Sequence, residues 1–166
     1  MFFVRSAEVV PCPCCQGELG FIGSRKRIWI RSSGDTARLV IRRLQCKFCG
    51  RIHHELPNLL VPYKRHEAAS IERAVTTPPA ADVGVEESTL NRWRKWFTSW
   101  AEYAKGCLES IAYRFNLLVE TSSGSSQTAL HPLGHLVGDA PRWLARAVRP
   151  IANANLWVHT RSAFMS

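Results

Sequence analysis

No stretch of the chain approaches the roughly 18 consecutive apolar residues that a membrane-spanning helix needs. Acidic residues are in deficit: 13 Asp and Glu stand against 22 Lys and Arg, a formal net charge of +9. That imbalance favours a polyanionic partner such as DNA, RNA or an acidic surface. There is no internal repeat, so a stacked-repeat array is excluded. The apolar start, Met1 to Val4, runs at once into Arg5. Charged and apolar regions are then too short and in the wrong order for a secretory leader, and a cytoplasmic protein is expected. At 166 residues and 46% hydrophobic composition, the chain can build one compact domain or two small ones, and wholesale disorder is not expected.

Six cysteines are present, and Cys12, Cys15, Cys46 and Cys49 fall into two C-x-x-C pairs. In a reducing cytosol such pairs hold metal more readily than they form disulfides. A structural zinc ion takes four thiolates in a tetrahedron, and two knuckles supply two each. Gly17 and Gly50 allow the tight backbone that each knuckle needs. One structural Zn2+ is therefore the expected cofactor. Cys14 lies between the first two ligands and reads as a bystander, although it or one of His53 and His54 could replace a ligand. Those histidines otherwise face solvent or nucleic acid. A thioredoxin-like redox use of the pairs would need a βαβ context, which the pattern lacks. Four thiolates also close the coordination sphere, so no catalytic residues are expected and the protein is read as a non-enzyme.

Between and around the knuckles the pattern is that of strands. Residues 1–11 read as a short lead-in strand, Arg27–Arg31 alternates as a strand, and 36–45 is a second strand after the Ser32-Ser33-Gly34-Asp35 turn. Arg51–Leu56 reads as a third, and Pro57–Pro62 as an extended connector. The period then becomes helical. His66–Thr76 carries Ala68, Ile71 and Val75 at helical spacing, and Pro78-Pro79 breaks it. From Ser88, a plausible N-cap, a long stripe follows: Leu90, Trp93, Phe97, Trp100, Ala104, Cys107, Ile111, Phe115 and Leu118. Gly106 is placed to kink this helix, and Cys107 reads as a packed thiol. Residues 121–128 form a polar linker. A last helix follows Pro141, carries Trp143 and Leu144, and is limited by Pro150. Trp143 and Trp157 are expected to pack it against the long helix. The fold expected is α+β: a small N-terminal β zinc ribbon (1–60), a helix-turn-helix-like unit with the long amphipathic helix (61–120), and a linker with a C-terminal helical segment (121–166).

Two basic surfaces are candidates for nucleic acid. Arg25, Lys26, Arg27, Arg31, Arg38, Arg42 and Arg43 cluster on or beside the hairpin, with Lys64 and Arg65 in the connector. The bland alternative is a charged strand edge that discourages aggregation. On the long helix, Ser88, Thr89, Asn91, Arg92, Arg94 and Lys95 would face outward while Leu90, Trp93 and Phe97 pack inward. Asn and Arg suit base edges, and Lys and Ser suit phosphates. The glycine-containing turn before this helix fits a helix-turn-helix, although little room is left for its middle helix. His131 and His135 are four apart, but a histidine pair alone is a weak metal signal.

The Cys-Pro-x-Cys knuckle, the hairpin, Arg-Arg-x-x-Cys-x-x-Cys-Gly at 42–50 and His-Glu-Leu-Pro at 54–57 resemble the zinc-binding front end of bacterial insertion-sequence transposases. The full run from Arg42 to Pro57, with Val-Pro-Tyr-Lys-Arg at 61–65, resembles more closely a small uncharacterised bacterial zinc-ribbon family associated with transposons. The resemblance covers about residues 10–97. It implies a ribbon followed by a helix-turn-helix, a DNA partner, and a transposase or other mobile-element protein nearby. The chain departs from an acidic-triad transposase, because its only aspartates are Asp35, Asp82 and Asp139 and no nuclease domain has room after residue 120. The expected function is a zinc-dependent DNA-binding accessory or regulatory factor of a mobile element, cytoplasmic or nucleoid-associated. Two alternatives stand beside it. One is a protein-interaction or homodimerisation module that uses the aromatic long helix, and the other is an RNA-binding ribbon.

Overall fold

In the computed structural model, residues 1–76, 83–117 and 130–157 are described, with the backbone of 163–165. The Pro78-Pro79 break, the short segment up to Asp82, Leu118 and the polar linker at 121–128 lie outside the described residues. The centre of the sheet is β3 (Thr36–Cys46), which has Leu39, Ile41 and Leu44 buried. Along one edge it pairs antiparallel with β2 (Leu19–Ile30), from Leu19↔Cys46 to Ile30↔Thr36, with an irregularity between Phe21 and Gly23. The hairpin closes through Gly34, whose φ of +88° glycine accepts without penalty.

The other edge of β3 is shared. Its last residues pair antiparallel with β4 (Ile52–Leu56), and Leu39 and Val40 pair parallel with β1 (Phe2–Phe3). The strand β2 is longer than the Arg27–Arg31 alternation predicts, because pairing with β3 carries it through Gly20, Gly23 and Ser24, which have little strand propensity of their own. The lead-in strand is shorter than expected for a matching reason: β4 occupies the rest of that edge. A further strand, β5 (Ala163–Met165), pairs parallel with β4, within the span expected to be a linker and helical segment.

The connector is not simply extended. Leu60 N–H bonds back to Pro57 O, and Leu60 and Val61 are fully buried. His66 and Glu67 then bridge Ile30 and Leu60 as extended residues. The first helix, α1 (Ala68–Val75), consequently starts two residues later than its periodicity predicts. The long helix α2 (Glu87–Arg114) runs without a break through Gly106 and spans about 42 Å at 1.5 Å per residue. Glu86 holds its N-cap position, so Ser88 lies in the first turn instead. A short α3 (Gly134–Val137) precedes α4 (Trp143–Asn153). Pro150 sits inside α4 and does not end it. Trp143, Leu144, Ala147, Val148, Ile151 and Ala152 are all buried on this helix, and that burial offsets the roughly 3 kcal/mol an internal proline costs.

One hydrophobic cluster joins sheet and helices. Trp29, Leu39, Ile41 and Leu56 meet Ala68 and Ile71 of α1, Trp93, Phe97 and Trp100 of α2, and the buried stripe of α4. Trp143 meets Phe97 edge-on at 5.5 Å and Trp157 lies 5.4 Å from Trp100, as expected. Cys107 is buried in the same cluster. The stripe runs out before Phe115, which is 66% exposed.

A buried carboxylate ties α1 to α4. Glu72 accepts the backbone N–H of Arg142 and of Leu144, both at 2.9 Å, and so satisfies two donors at the start of α4. Arg142 adopts φ +70° to present its N–H there. Replacing Glu72 by Ala should lower stability by about 2 kcal/mol in urea unfolding, the cost of two buried N–H groups left without an acceptor. Glu72→Gln, which keeps one acceptor oxygen, should lose about half as much.

Candidate metal centre and basic cleft

The two knuckles are built alike. In the first, Cys12 N–H bonds Gly17 O and Gln16 N–H bonds Cys12 O, both at 2.8 Å. In the second, Cys46 N–H bonds Arg51 O at 2.9 Å and Gly50 N–H bonds Cys46 O at 3.1 Å. Each turn requires a left-handed residue at the same place, Gln16 at φ +63° and Gly50 at φ +69°. Gly17 is needed for space: a Cβ there would lie 2.6 Å from the Phe48 ring and 3.1 Å from Cys46 Sγ. Lys47 N–H bonds Glu18 O at 3.0 Å and staples the two knuckles together.

This geometry brings four sulfurs to one point. Cys12 Sγ lies 3.7 Å from Cys49 Sγ and Cys15 Sγ lies 3.4 Å from Cys46 Sγ, and all four are within 4.8 Å of one another. A tetrahedral ion with metal–sulfur bonds of about 2.3 Å needs sulfurs about 3.8 Å apart. The cluster fits one metal ion. The thiols are also unlike one another. The backbone N–H groups of Cys49 and Phe48 point at Cys46 Sγ and hold its thiol down to about 6. Burial pushes the Cys12 thiol up to about 12. Four thiolates this close repel strongly, so full ionisation needs a cation among them.

A second donor set, Cys12 with Cys14 and His53, shares Cys12. Its three members leave a tetrahedron one ligand short. Arg51 donates to Cys14 Sγ at 3.3 Å, which places that sulfur against a guanidinium. His53 does not face solvent. It is fully buried, with Nε2 3.3 Å from Cys12 Sγ, where an N–H would steady a thiolate ligand. Strand alternation carries the signal, since it sends His53 and Glu55 to one side of β4 and His54 and Leu56 to the other.

The basic residues divide into structural and free groups. Arg42 is structural: its guanidinium pairs with buried Glu55 at 2.5 and 2.8 Å, and Glu55 also accepts Ser6 N–H at 2.9 Å. Arg42, expected to meet nucleic acid, is thus placed by the structure against a buried carboxylate, with its side chain still partly exposed. Arg31 lies over the rings of Trp29 and Phe2. Arg38 is exposed. Arg25, Arg27, Arg43 and His54 share the helix-covered face of the sheet, beyond the edge of the core. Arg25 and Lys26 are exposed, and Arg27 is half-buried with Nη2 donating to Lys64 O at 2.8 Å. Together with Arg65, Tyr63 and His54 they line a cleft of about 400 Å³ whose lining contains no acidic residue. Burial, and then Arg25, Arg43 and Arg27, hold the His54 imidazole below its usual range.

The cleft leads toward α2. Lys64 Nζ sits 4.5 Å over the Trp96 ring, and burial and then Arg92 lower its pKa. Ser88, Asn91, Arg92, Arg94 and Lys95 are exposed on α2 and Thr89 is half-buried. Arg94 also donates to Ala74 O at the end of α1, at 3.2 Å. At the far end of the molecule His131 is buried against the Trp143 ring and 3.2 Å from Asp139, while His135 is exposed, so the two histidines do not converge.

The fold and site define a β-ribbon with paired cysteine knuckles that carries a helical cap. Residues 12–93, just under half of the chain, match the profile of a family described as a domain of unknown function (DUF6431). That span runs from the first knuckle to the first turns of α2. No curated protein and no solved structure matches the chain.

Purified protein should carry one metal ion per chain by elemental analysis. Cys12→Ser, Cys15→Ser, Cys46→Ser and Cys49→Ser should each lose it and lower the unfolding midpoint, whereas Cys14→Ser should keep it. Retention of the ion by Cys15→Ser together with its loss from Cys14→Ser would move the site to the second donor set.

Proposed function

We propose that this chain is a zinc-stabilised DNA-binding protein without catalytic chemistry, serving as an accessory or regulatory factor of a mobile element in the cytoplasm or on the nucleoid. The observation that carries the proposal is the continuous cationic surface. Arg25, Lys26, Arg27 and Arg65 line the cleft, Arg43 acts on its His54, Lys64 joins it to Arg92, and none of these cations forms an ion pair with a described acidic residue. Unneutralised cations at this density attract a polyanion and release its counterions on binding.

Zinc is the ion that four cysteines at tetrahedral spacing suit best, and its role here is structural because those ligands leave no open position. The non-enzymatic reading has a second support. Asp35 is engaged by the Ser33 hydroxyl at 2.8 Å and Asp139 by His131, so the described aspartates do not pair to hold catalytic metals. The mobile-element setting rests on the resemblance of the Arg42–Pro57 run to transposon-associated ribbons.

The exposed residues Ser88, Asn91, Arg92 and Lys95 on the first turns of α2 would supply base and phosphate contacts in the manner of a recognition helix. The middle element of such a helix-turn-helix falls at 77–82, outside the described residues. For the interaction-module alternative, Trp93, Phe97 and Trp100 face the interior, and α2 offers Tyr113 outward, with Phe115 and Leu117 just past its end.

The test is fluorescence anisotropy with labelled random duplex DNA across a salt series, with duplex RNA as competitor. Affinity should fall steeply with salt, and Arg65→Ala or Arg92→Ala should each reduce the log–log slope by about 1. Arg42→Ala should lower the unfolding midpoint instead. A salt-independent or absent interaction sinks the proposal, and preferential displacement by RNA changes the nucleic acid.

A further inference from the structure

The cleft holds more than charge. Its floor is apolar, made by Ile41, Leu56 and Pro62, and its mouth carries Tyr63, a residue 65% exposed. Tyr63 has φ +63°, a left-handed conformation that costs a bulky side chain about 1–2 kcal/mol. The backbone on both sides is pinned. Lys64 N–H bonds Val61 O at 3.0 Å, Arg27 Nη2 holds Lys64 O at 2.8 Å, and Ile30 N–H holds Arg65 O at 2.9 Å. Val61 is fully buried and Pro62 is buried. The fold therefore keeps an aromatic ring largely outward, in a strained turn, where packing returns little for it. Strain of this kind, held by its surroundings, gathers at ligand clamps.

The chemistry of the cleft specifies an occupant. A flat apolar ring beside an apolar floor suits a planar heterocycle, and the cations at the rim suit a phosphate. Paired bases in a duplex present phosphates but keep their faces stacked on each other, so a duplex interior would leave the floor and Tyr63 unused. A volume of about 400 Å³ falls at the small end of the ~300–1,000 Å³ typical of ligand pockets. This points to one nucleotide, not a strand.

We infer that this cleft takes a single unpaired nucleotide of the bound DNA, with its base stacked on Tyr63 and its phosphate between Arg25 and Arg65. The inference rests on the DNA-binding reading and narrows it to DNA with a strand end, bulge or flipped base. Arg25 reaches the cleft from β2 and Arg65 from the pinned turn, so the phosphate would be held by cations from two separate elements.

Three DNA probes of one sequence test this: a blunt duplex, the duplex with a short overhang, and the duplex with a single-base bulge. Each unpaired position carries the fluorescent base 2-aminopurine. The native chain should bind the overhang or the bulge about 10-fold more tightly than the blunt duplex, the range that base–aromatic stacking supplies. Stacking on Tyr63 should also quench the 2-aminopurine. Tyr63→Phe should keep both effects. Tyr63→Gly should lose both while binding the blunt duplex as the native chain does. Glycine accepts positive φ, so this variant should melt no lower than the native protein.

Equal affinity of the native chain for all three probes would overturn the clamp and leave general DNA binding intact. A Tyr63→Gly variant that keeps the preference would overturn it equally. Failure of the native chain to bind any of the probes would remove the DNA reading and the clamp together.

Discussion

Everything in the N-terminal half hangs on the convergence of four sulfurs at the end of the hairpin. The pairing of β2 with β3 begins at Leu19↔Cys46, directly beside that point, and β4 leaves the second knuckle three residues after Cys49. Without a cation the four thiols are mismatched, one favouring the thiolate and one strongly favouring the neutral form. With a cation the mismatch disappears, because each sulfur becomes a ligand. An ion bound there would thus fix where β2 and β4 start and β3 ends, and sheet registry would follow from it. A sheet this small buries little apolar surface on the knuckle side, so side-chain packing would be a weak substitute.

Much of this was legible in the sequence, for definite reasons. Two C-x-x-C pairs separated by alternating, β-branched residues admit few geometries, and the structure adopts the simplest. The stripe from Trp93 to Cys107 has one period and one apolar face, so its burial follows. Other features depend on long-range partners that local pattern does not encode. Arg42 looks like any other arginine of the basic run until Glu55, thirteen residues on, claims it from a neighbouring strand. Glu72 looks like a surface residue of a short helix until α4 delivers two N–H groups to it from seventy residues away. Pro150 reads as a stop because its own cost is visible in sequence, while the burial that outweighs it is not. His53 and His54 could not be told apart by composition. Strand alternation sends one to the sulfurs and the other to the cleft.

Charge is distributed by function in a similar way. Where a cation meets a buried carboxylate, as at Arg42 and Glu55, it serves the fold. Where cations meet one another, as around His54 and along Lys64 and Arg92, the fold bears the repulsion. Repulsion left uncompensated within a folded chain is stable only because other interactions hold the residues in place, and it is relieved when an anion enters. The absence of acidic groups from the cleft lining is therefore a more local support for the proposed anionic partner than the overall charge of +9.

The connector makes the metal centre and the cleft a single mechanical unit. Between β4 and α1 the chain is stitched to β2 at successive points: Lys64 O to Arg27, Arg65 O to Ile30, and Glu67 to both Ile30 and Ser32. All of these partners lie on or just beyond the far half of β2, whose near end is anchored beside the knuckles. The position of Arg65 and Tyr63 relative to Arg25 is thus set by the same hairpin registry that a metal at the knuckles would fix. A loosened knuckle would let β2 slide against β3, and even a one-residue slip would turn Arg25 and Arg27 to the opposite face of the sheet. Metal dependence of the proposed nucleic-acid binding would then need no contact between the ion and the nucleic acid. It would follow from strand register alone.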